Sequence, residues 1–251
     1  MGYKNIRVAV VMPAYNAAKT LRACYDAIPK ELVDTIILVD DKSSDETVAI
    51  AKTLPMTVHV HEQNLGYGGN QKTCYRLARA AGADIVVMVH PDHQYDPSFV
   101  PQIVREIVDG QYDAVFGSRM MIRENARQGG MPGWKYYANI VLTYIGNIFL
   151  GTDLTEFHSG FRAYRTNIFD TIDINKNSDN FVFDTEIIIQ LTNAQYTIKE
   201  IPISTRYFPE ASQIGFWPSV RYGLSMLYHL FRYKLALPEP EKTRKNKTTS
   251  T

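Results

Sequence analysis

The residues best suited to chemistry lie in one stretch, IVVMVHPDHQYDP at 85–97. Its apolar run at 85–89 reads as a short strand buried on both faces, as in the middle of a parallel sheet. Directly after it come His90, Asp92, His93, Gln94 and Asp96. Oxygen and imidazole ligands therefore stand at the carboxyl end of a buried strand, where open α/β sheets bind ligands. His90 and Asp92 are two residues apart, so in extended backbone they face the same side and can share one cation with a diphosphate. The same polar residues would also serve as a turn that caps the helix after Pro97.

Further polar clusters follow apolar stretches: Tyr15-Asn16, Asp40-Asp41 and Asn64. In a parallel sheet these ends converge with Asp92 on one edge, in a pocket that suits a nucleoside diphosphate with Mn²⁺ or Mg²⁺. The loop Gly66-Tyr67-Gly68-Gly69 can bring its backbone close to a phosphate, with a helix N-terminus behind it. In the second half, His158 stands two residues after Glu156. Imidazole suits Mn²⁺ or Zn²⁺ and would close a site begun by Asp92; a hydrogen-bonded structural histidine is the alternative. Asp184 and Glu186, in FVFDTE at 181–186, start a helix, where the dipole alone favours acids.

Positioning these groups takes a regular frame. Strand candidates at 6–12, 35–39, 57–61, 85–89 and 113–116 alternate with helical patterns at about 18–28, 44–53, 71–81 and 98–109. Ser43 with Glu46 three residues on is a capping-box signature for the second of those helices. Such alternation means βαβ units with right-handed crossovers, so residues 6–120 read as a nucleotide-binding half. Beyond it, IRENARQGGMPG at 122–133 reads as a mobile loop. Helices at about 134–150 and 183–194 and a strand at 197–203 follow in the acceptor half, 121–237. A last helix at 219–235 carries Val220, Leu224, Leu227, Phe231 and Leu235 on one stripe. That stripe is expected to pack on the domain or on a second copy, giving a homodimer, with peripheral membrane contact as the other reading. The chain thus reads as one domain, 1–237, with a Lys-rich, disordered tail at 238–251.

With 27 basic against 26 acidic side chains, no overall field recruits nucleic acid. Two cysteines, Cys24 and Cys74, make neither a disulfide framework nor a CxxC metal knuckle, which fits cytoplasmic residence. No segment approaches 18 continuous apolar residues, so an integral membrane protein is not expected. The dinucleotide fingerprint GxGxxG is not met after Gly66, no GxxxxGK[ST] is present, and Phe157 stands where GxSxG needs its first glycine.

Taken together, VVMPAYN at 10–16, ILVDDKSSDET at 37–47, NLGYGG at 64–69, HPDHQYDP at 90–97, GSR at 117–119, HSGFRAYR at 158–165 and IKEIPISTRYF at 198–208 form an ordered pattern. It resembles the family-2 glycosyltransferases of GT-A fold, in particular the branch similar to dolichyl-phosphate mannose and glucose synthases. The resemblance implies an α/β three-layer sandwich around a central, mainly parallel sheet. It implies a UDP- or GDP-sugar donor, a glycan or lipid-phosphate acceptor, inversion, and a divalent cation. Pro13, Ala14, Tyr15, Asn16, Asp40, Asp41, Asn64, Gly66 and Gly69 match the donor-nucleotide region. Asp92 matches the second acid of the family's DxD-like motif, Gln94 the glutamine after it, and His90 stands where the first acid is found. With His158, these form the implied metal set. Glu156, or Asp184, is the implied general base. Arg119, Arg162 and Arg206 are the implied partners of phosphate charge. Glu210-Ala211-Ser212-Gln213 lacks the lysine common near this point in the membrane-acceptor branch. Two other readings share the sheet: a sugar-nucleotide-binding protein without transferase activity, and a nucleotidyltransferase, whose Gly-rich basic loop after the first strand is absent.

Overall fold

The computed structural model describes residues 5–205 and 215–235. The expectations for Arg206, for residues 210–213 and for the tail at 238–251 lie outside the described residues. Seven strands form one sheet: β1 (Val8–Ala14), β2 (Thr35–Asp40), β3 (Thr57–Val60), β4 (Ile85–Met88), β5 (Ala114–Ser118), β6 (Arg162–Arg165) and β7 (Ile198–Pro202), in the order β3-β2-β1-β4-β6-β5-β7. β1, β2, β3 and β4 pair in parallel, as do β5 and β7. β6 runs antiparallel between β4 and β5, so both halves of the chain build the same sheet.

The central strands are apolar on both faces because both are covered. Val8, Val10 and Met12 of β1 join a core with residues of α1 (Leu21–Asp26) and α4 (Val100–Val108). Ala9 and Val11, pointing the other way, join a second core with α3 (Gly66–Ala80), α7 (Phe183–Asn193) and α8 (Phe216–Lys234). This is a helix, sheet, helix sandwich. α6 (Gly133–Leu150) lies against α8 on the second face. Among the described residues, no helix is long and apolar enough to cross a membrane.

Several sequence expectations need correction. The strand β6 is missed because two arginines interrupt its apolar pattern, although Arg162 is 1% exposed and Ala163 and Tyr164 are fully buried. The second helix, α2 (Thr47–Ala51), starts later than a capping box at Ser43 requires. The Ser43 hydroxyl instead donates to Asp40 Oδ2 at 2.5 Å. The expected loop at 122–133 contains a short helix, α5 (Arg123–Gln128). Finally, Val220, Leu224, Phe231 and Leu235 do not pack on the domain: α8 buries Gly223, Met226 and Leu230, and the expected stripe faces outward.

Candidate active site at the carboxyl ends of the strands

A cavity of about 730 Å³ opens beyond the carboxyl ends of β1, β2 and β4. The loops that leave these strands share a feature. Asn16, Lys42 and His93 each adopt a positive φ, of 51°, 64° and 55°, two to five residues past β1, β2 and β4. Non-glycine residues tolerate that region only where surrounding contacts over-determine it. Here they do: Asn16 N–H donates to Ser43 Oγ at 2.8 Å, and Ser44 N–H donates back to Asn16 Oδ1 at 2.9 Å. The two loops are thereby locked to each other.

Asp40 and Asp41 divide their labour. Asp40 is fully buried, accepts from Ser43 N–H at 2.9 Å, and is not at the cavity wall. Asp41 lines the cavity and accepts from the N–H groups of Leu65 and Gly66 at 2.8 and 2.9 Å, and from His61 Nδ1 at 2.8 Å. A carboxylate thus caps the start of α3, where the helix dipole favours negative charge. The glycine-rich stretch is therefore the first turn of α3 rather than an open phosphate loop. Its glycines serve close approach: a Cβ on Gly66 would sit 2.6 Å from Asp179 O, and one on Gly68 would sit 2.9 Å from Phe183 Cβ. Gly69 does not line the cavity, whereas Gly66, Asn64, Pro13, Ala14, Tyr15 and Asn16 do.

His90, Asp92, Gln94, His158 and Asp184 all reach the same cavity, the first three from the loop after β4 and the last two from the second half. His90 stacks on Tyr67, centroids 5.6 Å apart and planes at 1°. Gly160 permits this, since a Cβ there would meet His90 Nε2 at 2.5 Å. His158 Nδ1 shares a hydrogen bond with the Tyr222 hydroxyl at 2.7 Å. Both histidines keep a buried Nε2 without a protein partner. Burial pushes both below the usual histidine range, His158 to about 4, so both rings are neutral near pH 7. A neutral ring with one nitrogen unoccupied is the form that ligates a metal. Among the described residues no three His, Cys, Asp or Glu side chains gather as a metal site.

Arg119, from the turn after β5, also lines the cavity. Its Nε donates to Glu156 Oε1 at 2.7 Å, its backbone N–H donates to Glu156 Oε2 at 2.7 Å, and Asn139 Nδ2 donates to Oε1 at 2.7 Å. Burial alone would push the Glu156 carboxyl up, but the Arg119 charge and these bonds hold it below its usual range. Glu156 does not line the cavity. Lys135 lies beside Arg119, its pKa lowered by burial and by the guanidinium charge. Arg162 is not at the cavity either: it donates to the carbonyls of Phe157, Ser159 and Asp184 at 2.8, 2.8 and 2.9 Å, beneath Phe116. Asp184 accepts from the Tyr67 hydroxyl at 2.7 Å and from Gln71 Nε2 at 3.3 Å. Sequence reasoning does not single out Tyr67, Tyr95, Lys135, Asn139 or Tyr222, all of which line the cavity. The first two lie inside the quoted motifs and were within reach; the last three lie on α6 and α8, where only packing brings them in.

The family model of glycosyl transferase family 2 matches residues 9–173. A protein of Methanocaldococcus jannaschii described as uncharacterised is 30% identical over 228 residues, 91% of this chain and 92% of that one. The UDP-N-acetylglucosamine–dolichyl-phosphate N-acetylglucosaminyltransferase of Methanococcus voltae is 27% identical, covering 91% of this chain and 96% of that enzyme. Glucosyl-3-phosphoglycerate synthase of Mycobacterium tuberculosis, in complex with Mn²⁺, UDP and glucosyl-3-phosphoglycerate, superposes with a TM-score of 0.73 at 19% identity, over 94% of this chain and 82% of that one. The same enzyme has also been solved with Mg²⁺ and UDP. The matched family decides between the transferase and the non-transferase readings of the sheet, and the chain belongs to glycosyl transferase family 2, as a hexosyltransferase of GT-A fold.

Proposed function

We propose that this protein transfers a sugar, with inversion, from a UDP- or GDP-linked donor to an acceptor that carries a phosphate, in glycan or glycolipid assembly at the cytoplasmic face of a membrane. One observation carries the reading: a single cavity is lined by the carboxylates Asp41 and Asp92 together with the cations Arg119 and Lys135. Tyr15 and Asn16, on the locked loop after β1, shape the nucleoside end. Asp92, with one of His90 and His158, would hold Mn²⁺ or Mg²⁺, which would supply positive charge to the departing diphosphate. The solved complexes of the M. tuberculosis enzyme with either ion support this choice of cation. Tyr222 sets the orientation of His158, a role that outer partners of ligating histidines commonly fill.

Arg119 and Lys135 bind and orient the acceptor phosphate. Lys135 supplies a cation that the 210–213 segment lacks. Glu156 acts through Arg119, holding the guanidinium in place, rather than as a base. A phosphate acceptor needs no base; for a hydroxyl acceptor, Asp184, which lines the cavity, would be the base. The name of the M. voltae relative, a dolichyl-phosphate transferase, supports the phosphate-bearing acceptor. We read residues 1–237 as one catalytic unit.

Calorimetric titration with UDP and with GDP, each with and without Mn²⁺, tests the donor site. One nucleotide should bind only with the ion. Asp92→Ala should lose that metal-dependent binding and at least a hundredfold of transfer rate, the scale of lost transition-state charge stabilisation, while melting as the parent does. Full transfer activity in Asp92→Ala would sink the assignment.

A further inference from the structure

α6 and α8 lie side by side over one core. A Cβ on Gly223 would stand 3.4 Å from Leu142, and one on Gly146 would stand 3.2 Å from Met226 Cε, so the contacts step the same way along both helices. Each helix buries one stripe and shows another. On α6 the outer stripe is Tyr137, Val141, Tyr144 and Ile148, at helical spacing. On α8 it is Val220, Leu224, Tyr228, Phe231 and Leu235. Tyr144 is 67% exposed and Leu224 64%, values of solvent-facing residues despite their apolar bodies. An exposed apolar area of this extent marks an interaction surface.

Charge decides the occupant. Neither helix contains a single Asp or Glu, while Lys135, Arg221 and Lys234 accompany the stripes. Two copies meeting through this face would bring cations to cations with no acid between them. An anionic lipid surface complements them, and Tyr residues at the edge of an apolar face suit the headgroup zone. The same helices line the cavity through Lys135, Asn139, Leu142 and Tyr222. We infer that the paired α6 and α8 face docks on an anionic bilayer, which sets the cations of the cavity at the level of lipid phosphates. The second clause rests on the transferase reading above; the docking does not.

The full chain would be sedimented with vesicles of phosphatidylcholine alone and with one-third phosphatidylglycerol. Binding is expected to both, and at least tenfold tighter with the anionic lipid. Val141→Asp with Leu224→Asp, two exposed positions outside the cavity, should weaken vesicle binding at least tenfold, with unchanged far-ultraviolet dichroism and unchanged UDP titration. A protein that stays in the supernatant with both vesicle types overturns the docking. So does a dimer by analytical ultracentrifugation that the double variant splits, since a second copy would then own the face. Vesicle binding with no binding of either UDP or GDP in the presence of Mn²⁺ would support the surface and sink the donor reading; binding of either nucleotide without vesicle binding would do the reverse.

Discussion

Both oxygens of Glu156 are occupied by Arg119 and Asn139, beneath a protein surface that excludes water. A carboxylate so engaged positions a cation. Removing one partner of a buried pair leaves the other charge uncompensated, at a cost of about 3–5 kcal/mol. Glu156→Gln should therefore lower the melting temperature by roughly 10 °C, at about 2–4 °C per kcal/mol for a chain of this size, and raise the acceptor KM more than the donor KM. Thermal denaturation with steady-state kinetics on both substrates checks this; a parent-like melt would show that Arg119 holds its place unaided. The sequence marks Glu156 and Arg162 as chemical because both sit in family motifs. Whether a charge in a motif meets substrate or its own backbone depends on depth, and depth is a property of the packed chain.

At the scale of elements, the start of α3 is the instructive case. Its glycines are legible as a special backbone, but the partner they approach is segment 178–180, more than a hundred residues away. Gly68→Ala would press a methyl group into Phe183 and that segment, an overpacking cost of about 1–3 kcal/mol. Because Asp179 and Asn180 line the cavity, the variant should also bind UDP more weakly. Gly133→Ala, with nothing within 4 Å of the new Cβ, should stay within about 0.5 kcal/mol of the parent. Chemical denaturation of the two variants side by side distinguishes a steric role from a general intolerance of alanine. The capping-box signature at Ser43 fails for a related reason: its hydroxyl found a long-range loop network instead of its own helix.

At the scale of the whole molecule, the buried neutral imidazoles couple folding to pH. His158 has a folded value of about 4 against an ordinary value near 6.5. Between these, the unfolded chain binds the proton and the folded chain does not, so stability falls as pH drops from about 6.5 to 4. His90, lowered by burial too, adds to the same slope. The metal-free protein should lose up to about 3 kcal/mol over this window, at about 1.4 kcal/mol per unit, and His158→Gln should flatten the loss. Urea melts at half-unit pH steps measure it; a slope unchanged in the variant would place the acid sensitivity elsewhere.

The sequence by itself determined the alternation of strands and helices, the parallel sheet through β4, and the convergence of Asp41, Asp92 and the 13–16 segment on one edge. Those follow from local periodicity and from the topology that short crossovers permit. Tertiary structure alone decided what depends on distance through space. It inserted the antiparallel β6 despite its arginines, because Arg162 could satisfy its donors on three carbonyls inside the core and pair its charge with Asp184 at 3.7 Å. It engaged both oxygens of Glu156 with Arg119 and Asn139, away from the cavity wall, and made Gly68 a packing site. It also faced the α8 stripe outward, because Gly223 and Gly146 let α6 and α8 approach on their other sides. Hydrophobic spacing tells that a helix has an apolar face, but when two faces compete, the one that finds a closely fitting neighbour is buried.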